Sequence, residues 1–392
     1  MRRFYFLWVF GAIFWSCTAQ KEEKVPKATE TQILPGANQI DEYLPLIQGK
    51  KVGLVTNHTA VVGSSHLVDT LLSLNINILK VFTPEHGFTG TKPDGEKIEK
   101  QESDYDFELI SLYRSNRAPT EEELQNLEVI IFDIQDVGVR FYTYPSTMTY
   151  VMRACAQYDI PFIVFDRPNP HGAYIDGPVM QEEYKSFIGM HSVPLVHGLT
   201  IGELAKMINE EGWLGDSLKC DLTVIKNMNW THDTPYSLPV PPSPNLPNDL
   251  SIALYPSLGL FERTLASVGR GTDFQFQVIG HPNYPDTSFS FTPMPNEGSK
   301  YPPLEGQKCY GVSFVGSEPV YEFNISFLID FYKKMKGRTE EPFIMETIYR
   351  HIGNKLFKQQ IEDGLSETEI RATWKADLDA FQQLRKKYLI YE

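Results

Sequence analysis

Four short apolar runs organise the first half of the chain, at residues 52–56, 78–82, 129–132 and 162–165, and each ends in a cluster of polar residues. They are rich in β-branched and aromatic residues and apolar at nearly every position, which predicts strands covered on both faces by helices. Between them, residues 67–74 and 147–158 carry apolar side chains at helical spacing. Strands alternating with helices predict βαβ units and a parallel sheet, so the fold class is α/β. Further along, 199–205 reads as a helix start and 222–225 as another strand. Residues 239–247 are proline-dense and suit neither a helix nor a central strand. A domain boundary is placed near residue 250, which gives a parallel-sheet domain over 39–250 and a smaller α+β domain over 251–392. In the second domain 274–279 and 311–315 look like strands, and 323–336, 343–353 and 370–388 look helical.

Composition refines this picture at the N-terminus. The chain opens Met1-Arg2-Arg3, runs apolar over 4–15 and reaches Ser16-Cys17-Thr18-Ala19. A positive start, a short apolar stretch and a small-residue cleavage zone describe a secretory signal over 1–17. A cysteine at the cleavage point makes Cys17 the candidate lipidated first residue of an exported protein, with plain cleavage after Ala19 as the alternative. Residues 18–38 are polar and read as a tether. The expected location is the periplasm or cell surface, anchored in the outer membrane. Of the remaining cysteines, Cys155, Cys220 and Cys309 sit in apolar contexts without C-x-x-C spacing and read as buried thiols. A net charge of -14 over 392 residues excludes nucleic acid as a partner.

In open α/β sheets ligands bind beyond the carboxyl ends of the strands. Asn57, Glu85, Asp133, Asp136 and Asp166 follow those ends and are expected to share one crevice. Glu85 stands on a constrained turn between Pro84 and His86-Gly87; a backbone-capping glutamate is the plainer alternative. Paired carboxylates across a cleft are the minimum equipment for glycosidic bond cleavage, one acting as acid and the other as base or nucleophile. Residues 138–146 combine Arg140 with Phe141, Tyr142 and Tyr144, a mixture that suits an acidic sugar. A core role for Phe141 and structural ion pairs for Arg140, Arg167 and Arg270 are the alternatives. With no His-x-x-x-His or Cys/His pattern, no metal is expected; with no Gly-x-Ser-x-Gly and no phosphate-binding loop, neither a serine nucleophile nor a nucleotide cofactor is expected.

Several of these motifs resemble a known family. Gly53-Leu54-Val55-Thr56-Asn57-His58, Pro84-Glu85-His86-Gly87, the run from Phe132 to Tyr144, and Asp166-Arg167-Pro168-Asn169-Pro170 are similar to the NamZ family of exo-β-N-acetylmuramidases. So are Pro242-Ser243-Pro244-Asn245-Leu246-Pro247, Ser267-Val268-Gly269-Arg270-Gly271-Thr272 and the closing Tyr388-Leu389-Ile390-Tyr391. The resemblance implies a Rossmann-like N-terminal domain, a smaller C-terminal domain and an active cleft between them. It also implies release of N-acetylmuramic acid from the non-reducing end of peptidoglycan fragments, without a cofactor. Glu85 would be the acid and Asp136, or else Asp133, the second carboxylate. Arg140, Arg167 or Arg270 would suit the lactyl carboxylate of muramic acid, and Asn57 or Asn245 its acetamido group. His58, His86, Tyr142, Tyr144, Asn169 and Glu262 complete the implied binding set. One departure is Arg263, where the family carries a glycine after the glutamate; the larger side chain is expected to narrow the cleft. The competing expectations are a lipid-anchored wall-fragment binding protein and a metal-dependent deacetylase or amidase.

Overall fold

The computed structural model describes Met1 and residues 32–85, 87–90, 105–113 and 116–391. The signal segment, Cys17, most of the tether and His86 lie outside the described residues. Residues 33–392 form one compact unit.

Six strands make the main sheet: β1 (Lys51–Thr56), β2 (Asn77–Thr83), β3 (Glu108–Ser111), β4 (Val129–Asp133), β5 (Phe162–Phe165) and β6 (Leu222–Ile225). All pair in parallel in the order β3-β2-β1-β4-β5-β6, which is the Rossmann order. Their apolar runs feed two cores, one on each face. Along β4, Ile130 and Phe132 enter one core and Val129 and Ile131 the other, the period-two alternation of a strand buried on both sides. The first core continues without a break into the C-terminal half through Ile252, Phe261, Ile352 and Trp374. That half carries an antiparallel sheet of β7 (Val278–His281), β8 (Ser290–Phe291) and β9 (Cys309–Ser313) in the order β8-β9-β7, followed by short helices.

Several elements depart from the sequence reading. Edge strand β3 has four residues and only one of them buried, too weak a pattern to announce itself. The expected strand at 274–279 pairs only from Val278, because Phe276 takes a positive φ of 52° and turns the chain just before it. The expected helix at 370–388 divides into Glu367–Ala372 and Lys375–Arg385, with Trp374 buried at the break. A helix at Asp249–Leu258, started by a capping box between Asn248 and Ser251, runs across residue 250. Cys155, Cys220 and Cys309 are buried and unbridged.

Candidate active site

The carboxyl ends of β1 and β4 flank the point where the strand order reverses, the place where Rossmann folds usually bind ligands. Here that place is filled by protein. Asp133 closes β4 fully buried, and its carboxylate receives Arg167 Nε at 2.5 Å and Nη2 at 2.9 Å. Asn57, also fully buried, accepts from the Thr59 backbone and hydroxyl and donates to Tyr144 Oη at 3.1 Å. Asp166 accepts from the backbone amides of Arg167 and Gly202 and from the hydroxyls of Thr200 and Tyr391. Burial outweighs those bonds and lifts its carboxyl to about 6. Asp136 lies buried in the next turn, its Oδ2 accepting from Gly138 N at 2.8 Å. Burial pushes this carboxyl up to about 7 against the backbone bonds that favour its charged form. The turn requires Gly138: its φ is +74°, and a Cβ there would meet Asn169 Oδ1 at 2.2 Å. Asn169 is buried too, donating to Leu199 O and accepting from His171 N.

The single crevice expected for Asn57, Glu85, Asp133, Asp136 and Asp166 is therefore corrected. Among them only Glu85 reaches the pocket; the others tie strand ends and loops together. Arg140 and Arg167 are likewise interior. Arg140 spends its guanidinium on three carbonyls, Pro178 O, Val193 O and His351 O, and burial lowers it to about 9. His58 Nε2 meets Pro241 O, in the proline segment, at 2.8 Å, and His58 is not among the residues lining the pocket.

The pocket itself is a cavity of about 350 Å³ between the ends of the Rossmann-like strands and the C-terminal half, the size class of a small-molecule site. Its N-terminal wall carries Glu85, half-buried on the turn after β2. Tyr113, beyond β3, donates to Glu85 Oε1 at 2.5 Å, and Thr143 donates to Oε2 at 3.3 Å. The aromatic run Phe141 to Tyr144 lines the floor where the helix Tyr144–Gln157 begins. Both tyrosine hydroxyls donate to Pro242 O, at 2.9 and 3.2 Å, so the hydroxyls hold the proline segment and the rings remain as pocket surface. Phe141 packs on Gly259, where a Cβ would come within 2.5 Å of the ring. Asn245, at the end of the proline segment, donates to Gly298 O at 2.8 Å.

Neither Asp136 nor Asp133 lines the pocket, and the other carboxylate that does is Glu262, on the C-terminal wall. Glu262 Oε1 receives Arg270 at 2.7 to 2.8 Å, and Oε2 lies 3.8 Å from His351 Nε2. Burial alone would raise this carboxyl, but Arg270 and His351 outweigh it and hold it at about 2. Arg270 also lies 5.1 Å over the Phe276 ring. The expected binding residues Tyr142, Tyr144, Asn245, Glu262 and Arg270 thus meet Glu85 in one pocket. Tyr113, Tyr255, Arg263 and His351 join them without having been expected as ligands. Among the described residues no cluster of His, Cys, Asp and Glu is arranged to hold a metal ion.

Two family models account for most of this chain. One described as exo-beta-N-acetylmuramidase NamZ, N-terminal, matches residues 52–250, and its C-terminal counterpart matches 253–391. The chain belongs to the NamZ exo-β-N-acetylmuramidase family. The peptidoglycan beta-N-acetylmuramidase NamZ of Bacillus subtilis (strain 168) is 36% identical over 98% of this chain and 97% of its own length. Two crystal structures of DUF1343 family proteins from Bacteroides fragilis NCTC 9343 share the fold. One has a TM-score of 0.85 at 42% identity and the other 0.78 at 27%, each covering 92% of this chain and 99% of the other.

Proposed function

We propose that this chain is an exo-acting glycoside hydrolase that releases N-acetylmuramic acid from the non-reducing end of peptidoglycan fragments. The observation that carries the reading is Glu85, oriented by the Tyr113 and Thr143 hydroxyls in a pocket of NamZ-family descent. Glu85 acts as the general acid: it hands its proton to the bridging oxygen as the glycosidic C–O bond breaks, and water supplies the hydroxyl left on the anomeric carbon while its remaining proton restores the Glu85 carboxyl over the turnover. Glu262, held ionised by Arg270, is the second carboxylate and stabilises the positive charge that grows at that carbon. A pocket of about 350 Å³ favours a single terminal sugar over a long strand. The test is turnover of a chromogenic β-N-acetylmuramide. Wild type releases the chromophore, and Glu85→Gln lowers kcat by roughly 100-fold or more while retaining binding. Equal turnover by both proteins sinks the assignment; saturable binding without any turnover favours a wall-fragment binding protein. Activity lost to a chelator and restored by zinc favours the metal-dependent alternative.

The protein is read as exported and lipid-anchored at Cys17, with its hydrolase body facing the wall polymer in the periplasm or at the cell surface. The motif from Met1 to Ala19 supports this. In its host, Cys17→Ala is expected to move the protein from the membrane fraction to the soluble one. Wild type found already in the soluble fraction overturns the anchor.

A further inference from the structure

Muramic acid differs from glucosamine by a lactyl ether whose carboxylate is free when no stem peptide is attached, and which becomes a neutral amide when one is. A pocket that selects the free acid needs a cation with donors to spare. Arg140 and Arg167 are committed to interior carbonyls and to Asp133. Arg270 gives its charge to Glu262. Arg263 also lines the pocket, half-buried, and is held differently. Its Nε donates to His351 Nδ1 at 3.0 Å, which leaves the imidazole proton on Nε2, facing Glu262 Oε2 at 3.8 Å. The row Arg270, Glu262, His351, Arg263 therefore runs along one wall and fixes the guanidinium through its Nε edge. The Arg263 carbonyl is pinned as well, accepting from Met345 N at 2.9 Å. Its two Nη groups meet no acceptor among the described residues. A planar fork fixed at one edge, with the opposite donors open, is the arrangement that receives a carboxylate in two parallel bonds.

We propose that Arg263, which stands where the family carries a glycine, adds a bidentate contact to the free lactyl carboxylate of N-acetylmuramic acid in this chain, and so sharpens its preference for peptide-free over peptide-bearing ends. This rests on the muramidase reading above. The test compares kcat/KM of wild type, Arg263→Ala and Arg263→Lys on a chromogenic β-N-acetylmuramide and on the same glycoside with its lactyl group converted to the methylamide. Arg263→Ala is expected to lower kcat/KM on the free acid by about 10- to 100-fold, mainly through KM, and to leave the methylamide within about two-fold. Arg263→Lys, which keeps the charge without the fork, is expected to fall between. Inhibition by N-acetylmuramic acid weakens in parallel, while inhibition by N-acetylglucosamine stays unchanged. An equal loss on both glycosides shows that Arg263 only supports His351 and overturns the proposal, as does an unchanged rate on the free acid. A wild type inert on every glycoside overturns the muramidase reading itself, a result distinct from either.

Discussion

Asp133 and Glu85 follow neighbouring parallel strands and read alike in the sequence, yet they meet different fates. Asp133 ends the central strand β4, where helices and loops close over it from both faces, and an ionised carboxylate there requires a cation; Arg167 supplies it at 2.5 Å with both partners almost wholly shielded from solvent. Glu85 follows β2, next to the sheet edge, and the chain there opens onto the pocket. Their roles separate by mutation. Arg167→Met leaves Asp133 as an uncompensated buried charge and is expected to cost roughly 3–5 kcal/mol of stability. Adding Asp133→Leu is expected to recover most of that loss, because two apolar residues replace the pair. Urea unfolding of the single and double variants reads this directly. Additive losses, with no recovery in the double variant, would show that Arg167 is not what offsets the burial of Asp133.

At the scale of elements, the sheet was legible because parallel strands buried on both faces write themselves as short apolar runs, and the four inner strands do so. The two edge strands ask less of their side chains: β6 was still readable from its Leu-Thr-Val-Ile run, whereas β3, Glu-Leu-Ile-Ser with one buried residue, was not. The same difference explains the site. Glu85, Tyr142 and Tyr144 sit directly after strong strands or at a helix start, so their neighbourhood could be inferred. Tyr113 hangs from the unannounced β3, and His351 lies on a one-turn helix more than two hundred residues from Glu85. Their arrival in the pocket is a property of how the C-terminal half packs on the first core, for which no local pattern exists. The proline segment was rightly barred from regular structure, but its function as a ledge for two tyrosine hydroxyls depends on Pro242 O, a backbone atom whose position no side-chain pattern records. The expectation that polar strand ends gather in one crevice failed for a related reason. Spacing shows which residues leave the sheet together, not which of them are consumed in closing the loops.

For the molecule as a whole, the buried ionisable groups set opposing dependences of stability on pH. Burial lowers His171 to about 4 and His191 and His197 to about 3, so the folded state keeps them neutral where an unfolded chain binds protons near pH 6.5. Their contribution is complete above that value and is lost as pH falls through the acid range. Asp136 and Asp166, raised to about 7 and about 6, act the other way. Their contribution is complete below the ordinary carboxylate value and is lost as pH rises through the folded one. Around pH 5 the unfolded chain takes up protons at the three histidines while releasing them at the two aspartates, and much of the slope cancels. Asp136→Asn removes one of the opposing terms. The unfolding free energy of that variant is expected to rise with pH more steeply than that of wild type between about pH 4.5 and 6.5, by close to one proton, or about 1.4 kcal/mol per pH unit. Urea titrations of both proteins at three pH values in that window measure the difference. Parallel lines would mean that Asp136 is already ionised in the folded state.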